Sequence, residues 1–158
     1  MMNTAFPSAF SAPTDSPGFM LYFVNNAWQA RQRAALAPLD LTLVQFALLA
    51  GAVWLTRDES PLTQVRLARH AHLDVMMTST VVRTLEQKRL LRRGVHPADS
   101  RAKTVQVTAA GRRLASEALG VVEAIDHAFF AALGPATAEF TAHLRHLVAT
   151  AETSPATL

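Results

Sequence analysis

Residues 74–91, DVMMTSTVVRTLEQKRLL, and residues 92–108, RRGVHPADSRAKTVQVT, decide the fold. In the first run Val75, Val81, Val82, Leu85 and Leu90 recur at helical spacing behind Asp74, whose side chain can accept from the free amides at a helix start. They predict one buried stripe. The other face carries Met76, Met77, Ser79, Thr80, Arg83, Thr84 and Gln87, a mix of hydroxyls, thioethers and one guanidinium without an acid. Short hydroxyls fit against phosphates and base edges, and an Arg can bond a guanine twice. Such a face suits a DNA groove or plain solvent, and its neighbours decide which.

Upstream, residues 61–70 (PLTQVRLARH) have the pattern of a short helix capped by Thr63, with Val65, Leu67 and Ala68 free to pack. A tight turn then leads to Asp74. Two helices so joined form a helix-turn-helix, in which the second crosses the major groove while the first braces it. Downstream, residues 91–94 and 103–108 read as two strands. Val105 and Val107 alternate with polar residues, and Gly94, Pro97 and Asp99 supply turn chemistry. The module is a winged helix, with Arg101 and Lys103 on the wing beside Asp99 and with Thr63 at the start of the bracing helix.

These residues carry a resemblance. Asp99-Ser100-Arg101, followed by Val107-Thr108-Ala109-Ala110-Gly111, resembles the D-x-R and L-T-x-x-G wing signature of the MarR family of bacterial transcriptional regulators. Leu41-Thr42, Gln45-Phe46 and Leu48-Leu49 resemble that family's preceding helix, and residues 85–91 (LEQKRLL) its L-E-x-K-G-L-V segment. The resemblance spans about residues 19–148. It implies a homodimer on a pseudo-palindromic operator, and an effector such as a phenolic or other aromatic acid bound between the first two helices and the long fifth one. Two departures stand out. Arg89 replaces the usual Gly, where a left-handed conformation costs another residue about 1 kcal/mol, so the turn is expected to differ there. Thr80 stands where the family often has Arg, and Arg83 where it often has an acid, so the operator cannot be borrowed from relatives.

The charge is uneven. The chain of 158 residues has a net charge of +3, yet residues 61–113 hold eleven Lys or Arg against three acids, a net of +8, and the remainder carries −5. A positive field centred on the reading head attracts a polyanion through steering and counterion release. With no Cys there is no disulfide framework, Cys-based zinc site or thiol switch. Residues 1–18 contain no Lys or Arg and no continuous apolar run, unlike a secretory signal, and the apolar run at 41–55 is shorter than the roughly 20 residues of a membrane span. The expected location is cytoplasmic, without membrane partners.

The expected fold is mainly α with a small β-hairpin wing. A flexible arm (1–18) precedes a single unit (19–150) and a tail (151–158). Within that unit, residues 42–108 form the winged helix-turn-helix, and 19–36 and 109–150 form dimerisation helices. Ser16 and Pro17 begin the first helix, whose residues 19–24 (FMLYFV) are apolar almost all round and call for a second covering surface, most simply another subunit. A break at 37–40 leads to an apolar helix over 42–56, and residues 58–60 form the loop before the helix-turn-helix. Thr108 caps a long helix with Leu114, Ala118, Val121, Val122, Ile125 and Phe129 on one stripe. Gly134-Pro135 ends it, and a last helix covers about 136–150.

No nucleophile elbow, Walker A, dinucleotide fingerprint or H-E-x-x-H pattern is present, so no enzyme, cofactor or metal is expected. His143 and His146 share a helix face, where exposed or packing histidines are far commoner than ligands. Phe23, Trp28, Phe46 and Trp54 are the candidate lining of the effector cavity that the resemblance implies. The function these readings point to is a DNA-binding repressor released by a small ligand. The alternative is a winged-helix interaction module whose basic face binds an acidic protein.

Overall fold

The computed structural model describes residues 8–57 and 61–153. The loop expected at 58–60 lies outside these, as do the start of the arm and the end of the tail. The elements are α1 (Pro17–Leu36), α2 (Leu43–Leu55), β1 (Leu62–Thr63), α3 (Gln64–His70), α4 (Val75–Gln87), β2 (Leu91–His96), β3 (Asp99–Val107), α5 (Ala109–Phe130) and α6 (Thr137–Thr153). They fall into two compact units that divide between Val122 and Glu123, within α5.

In the first unit the later part of the expected arm forms a 3-10 turn, Pro13–Asp15, and Ser16 caps α1 by accepting from the Phe19 amide. Thr42 and Gln45 make a reciprocal capping box at the start of α2. The core joins Leu36, Phe46, Leu48, Leu49, Ala52, Leu67, Val82, Leu85, Leu91 and Val105. Buried Gln32 of α1 donates to the Val122 carbonyl of α5 at 3.4 Å. Gly111 is required by close approach, since a Cβ there would lie 2.1 Å from the Leu90 carbonyl oxygen.

Among the described residues, three non-glycine residues take left-handed conformations, Asp40 (φ 51°), His72 (φ 50°) and Arg89 (φ 60°), and each ends a helix. After α4, Arg89 N–H donates to Glu86 O at 2.8 Å and Leu90 N–H to Leu85 O at 2.9 Å, with both leucines buried. That is a Schellman motif with its hydrophobic contact. The turn expected to differ at Arg89 is therefore kept, with the strain accepted. His72 and Leu73 close α3 in the same way, through Arg69 O and Ala68 O.

The wing is larger than expected. β2 and β3 extend to His96 and from Asp99, and β1 pairs with β3 to give an antiparallel sheet in the order β1-β3-β2. Two residues of β1 suffice because Leu62, opposite Val105, is fully buried. Two packing expectations are corrected. Val75 and Val65 are exposed: Val75 precedes the first buried residue of α4, and Val65 is turned away from the buried side of α3 formed by Gln64, Leu67 and Ala68. Thr78 takes the place of Val75 in the buried stripe, one turn before Val82. In the second unit, α5 stops at Phe130, before Gly134-Pro135. A 3-10 segment, Ala131–Ala136, follows, with Gly134 at φ 51°, and Phe130 packs on Phe129 and Phe140.

Candidate nucleic-acid interface

The reading helix α4 is anchored by its buried stripe of Thr78, Val82 and Leu85. The same 3.6-residue period turns Met76, Met77, Thr80, Arg83 and Gln87 outward, with Ser79 and Thr84 half-buried at the edges. Met76, an apolar side chain, is 76% exposed among the described residues. Asp74 accepts from the Met76 and Met77 amides at 2.8 and 3.0 Å, so these two helix-start donors are already used. Thr80 Oγ1 donates to Met76 O at 3.1 Å and Thr84 Oγ1 to Thr80 O at 3.3 Å. With its proton turned inward, the exposed Thr80 hydroxyl keeps its lone pairs for an outside donor.

The bracing helix α3 begins at Thr63, whose Oγ1 accepts from the Arg66 amide at 3.2 Å. Thr63 also pairs with Thr104 through β1, so it ties brace to wing. On the wing, Lys103 faces Val95 across the hairpin, and the register then slips so that His96 faces Asp99. Arg101 lies in that slip, and both it and Lys103 are exposed. The Asp99 side chain lies outside the described residues. The structure thus brings the expected groove residues together on α4, with Arg101 and Lys103 on the adjoining hairpin.

Two links were not foreseen. Glu86, in the last turn of α4, accepts from the Arg93 amide at 3.0 Å and from Arg93 Nε at 2.5 Å. These bonds, the backbone one foremost, hold its carboxyl below the ordinary 4.5. The available signal was that Glu86 is the one acid between Asp74 and Asp99. Lys88 reaches back to the start of α2, donating to Asp40 O and to Gln45 Oε1 (3.3 Å) and pairing with Asp40 Oδ2 at 2.9 Å. Nothing in the local pattern marked that contact.

A cavity of 430 Å³ opens between α2, the end of α3 and the first half of α5. Phe46 and Trp54 line it together with Arg57, His70 and Leu119, and the Arg57 guanidinium lies 3.9 Å from the Trp54 ring centre. Phe23 and Trp28 do not line it. Phe23 belongs to an exposed run on α1 that includes Phe19, Leu21 and Tyr22. Among the described residues, no three His, Asp or Glu side chains come together in a way that could hold a metal.

Residues 41–103 match the sequence model of the MarR family. Over 125 residues, 79% of this chain and 85% of the relative, the chain is 42% identical to the uncharacterized HTH-type transcriptional regulator YdcH of Bacillus subtilis. The chain belongs to the MarR family. This MarR-family chain is also 36% identical over 136 residues to the HTH-type transcriptional repressor Rv2887 of Mycobacterium tuberculosis, covering 84% of the chain and 94% of the repressor. The solved complex of Rv2887 with DNA aligns at a TM-score of 0.64 and 34% identity, over 84% of this chain and 97% of that one. Rv2887 has also been solved with salicylic acid. BpsR of Bordetella bronchiseptica, whose DNA binding is regulated by 6-hydroxynicotinic acid, aligns at a TM-score of 0.78 with 25% identity, over 92% of this chain and 99% of that one.

Proposed function

We propose that this MarR-family regulator is a cytoplasmic homodimer that binds a pseudo-palindromic operator as a repressor, lets go when a small aromatic ligand binds, and catalyses no reaction. The observation that carries this reading is the exposed, acid-free face of α4 beside a wing bearing Arg101 and Lys103, within the segment of net charge +8. Lys and Arg around the head neutralise phosphates, while Ser79, Thr80 and Arg83 reach base edges. The relative solved with DNA supports this, and the one regulated by 6-hydroxynicotinic acid supports ligand control. Phe46, Trp54, Arg57 and His70 would take the ligand, with apolar walls for a ring and a guanidinium for an anionic group. The exposed apolar face of α1 supports pairing about a two-fold axis, which would set two reading helices about one DNA turn, roughly 34 Å, apart.

Selection of bound sites from random DNA, followed by mobility shift at low salt, tests the reading. Two inverted half-sites should emerge. Arg83→Ala should then cost about 1–3 kcal/mol on the selected site and relax preference at one base pair per half-site. No shift near micromolar protein would sink the proposal and leave the basic face to an acidic protein partner.

A further inference from the structure

We propose that Glu86 sets the angle between the reading helix and the wing, acting through Arg93 as a positioning residue that lets one head engage both grooves at once. This rests on the DNA-binding reading above. β2 is an edge strand of the sheet, so its outward amides have no strand to bond. The Arg93 amide is one of them, and Glu86 Oε1 takes it at 3.0 Å while Oε2 takes the same residue's Nε at 2.5 Å. One carboxylate therefore grips both the backbone and the side chain of the wing's first strand.

The grip falls where it has leverage. Leu91 and Val105, the residue opposite Arg93, are held in the core, while Gly94, Val95 and Lys103 beyond that rung are exposed, so the hairpin's joint is the Arg93 rung. From Arg93 to the hairpin tip is about 15 Å of strand, so a swing of about 10° at that joint would carry the tip roughly 2.5 Å, close to a hydrogen-bond length. Arg101 and Lys103 lie beyond the joint and would move with it. A link of this kind also accounts for an acid in a segment of net charge +8, where a carboxylate turned toward phosphate would be repelled.

The test uses the full chain, the operator selected with wild type, and random duplex DNA. Removing a negative charge should by itself tighten binding to any DNA. Glu86→Ala is expected instead to weaken operator binding about tenfold, the scale of a lost charge-assisted bond, while random DNA is held as tightly as before or more so. Hydroxyl-radical footprints should lose the minor-groove protection given by the wing and keep the protection at α4. Glu86→Gln retains an oxygen for the Arg93 amide and should fall by a smaller factor with the same salt slope. If the Ala variant does not fold, the Gln variant and its footprint decide. Operator and random affinities rising together, or falling together with the footprint unchanged, would overturn the proposal. A wild type that binds no DNA would instead defeat the functional reading beneath it.

Discussion

At Arg89 a single substitution should invert the usual ranking of Ala and Gly. At an ordinary helical position Ala is more stable than Gly by roughly 0.5–1 kcal/mol, because Gly loses more backbone freedom on folding. Arg89 instead sits at φ 60°, held there by the bonds from its own amide and from Leu90, and by Thr108 Oγ1 donating to its carbonyl at 2.9 Å. Any side chain with a Cβ pays about 1–2 kcal/mol in that region. Arg89→Ala keeps that cost and should leave stability near wild type, the Arg being exposed. Arg89→Gly removes it at the expense of about 0.5 kcal/mol of unfolded-state freedom. Gly should therefore exceed Ala by about 0.5–1.5 kcal/mol, or roughly 1–6 °C in Tm for a chain of this size. Chemical denaturation of the three proteins at one protomer concentration measures it, since a dimer's stability depends on concentration. Ala equal to or above Gly would refute the left-handed assignment and the motif built on it.

Other predictions concern the core, the wing link and the assembly. Thr78 Oγ1 is buried with no hydrogen-bond partner among the described residues, so Thr78→Val should raise stability by about 1 kcal/mol in the same denaturation series. The Glu86 carboxyl, followed by carbon-detected NMR, should titrate below 4.5 in wild type and move back toward that value in Arg93→Ala. Because its folded-state pKa is lowered, its contribution is complete above 4.5 and is lost as pH falls through the lower folded value. Leu21, 57% exposed in the apolar run of α1, should be needed for pairing. Leu21→Glu should sediment as monomer or aggregate and bind the operator weakly, and a wild type that stays monomeric at tens of micromolar would contradict this.

The sequence alone determined the local elements, since their signals are local. Ser16, Thr63, Asp74 and Thr108 each cap the helix that follows, because short polar side chains reach amides two or three residues on, and Thr42, read as helical, caps α2 in the same way. The alternation around Val105 marks a strand, and the outward face of α4 follows from the helical period once Val82 and Leu85 are inside. What only the tertiary structure decided is long in reach. Leu62 and Thr63 read as the start of a short helix until Leu62 is seen buried opposite Val105 in a strand. Val75, expected inside, is exposed while Thr78 is buried, because the core covers α4 only beyond its first residues, a limit invisible to periodicity. The Glu86–Arg93 and Lys88–Asp40 contacts link residues on different elements, and charge type alone names no partner. Arg89 marks the boundary most clearly. Its own propensity argues against a left-handed turn, and the buried contact of Leu85 with the core, joined by Leu90 and Thr108, outweighs that preference.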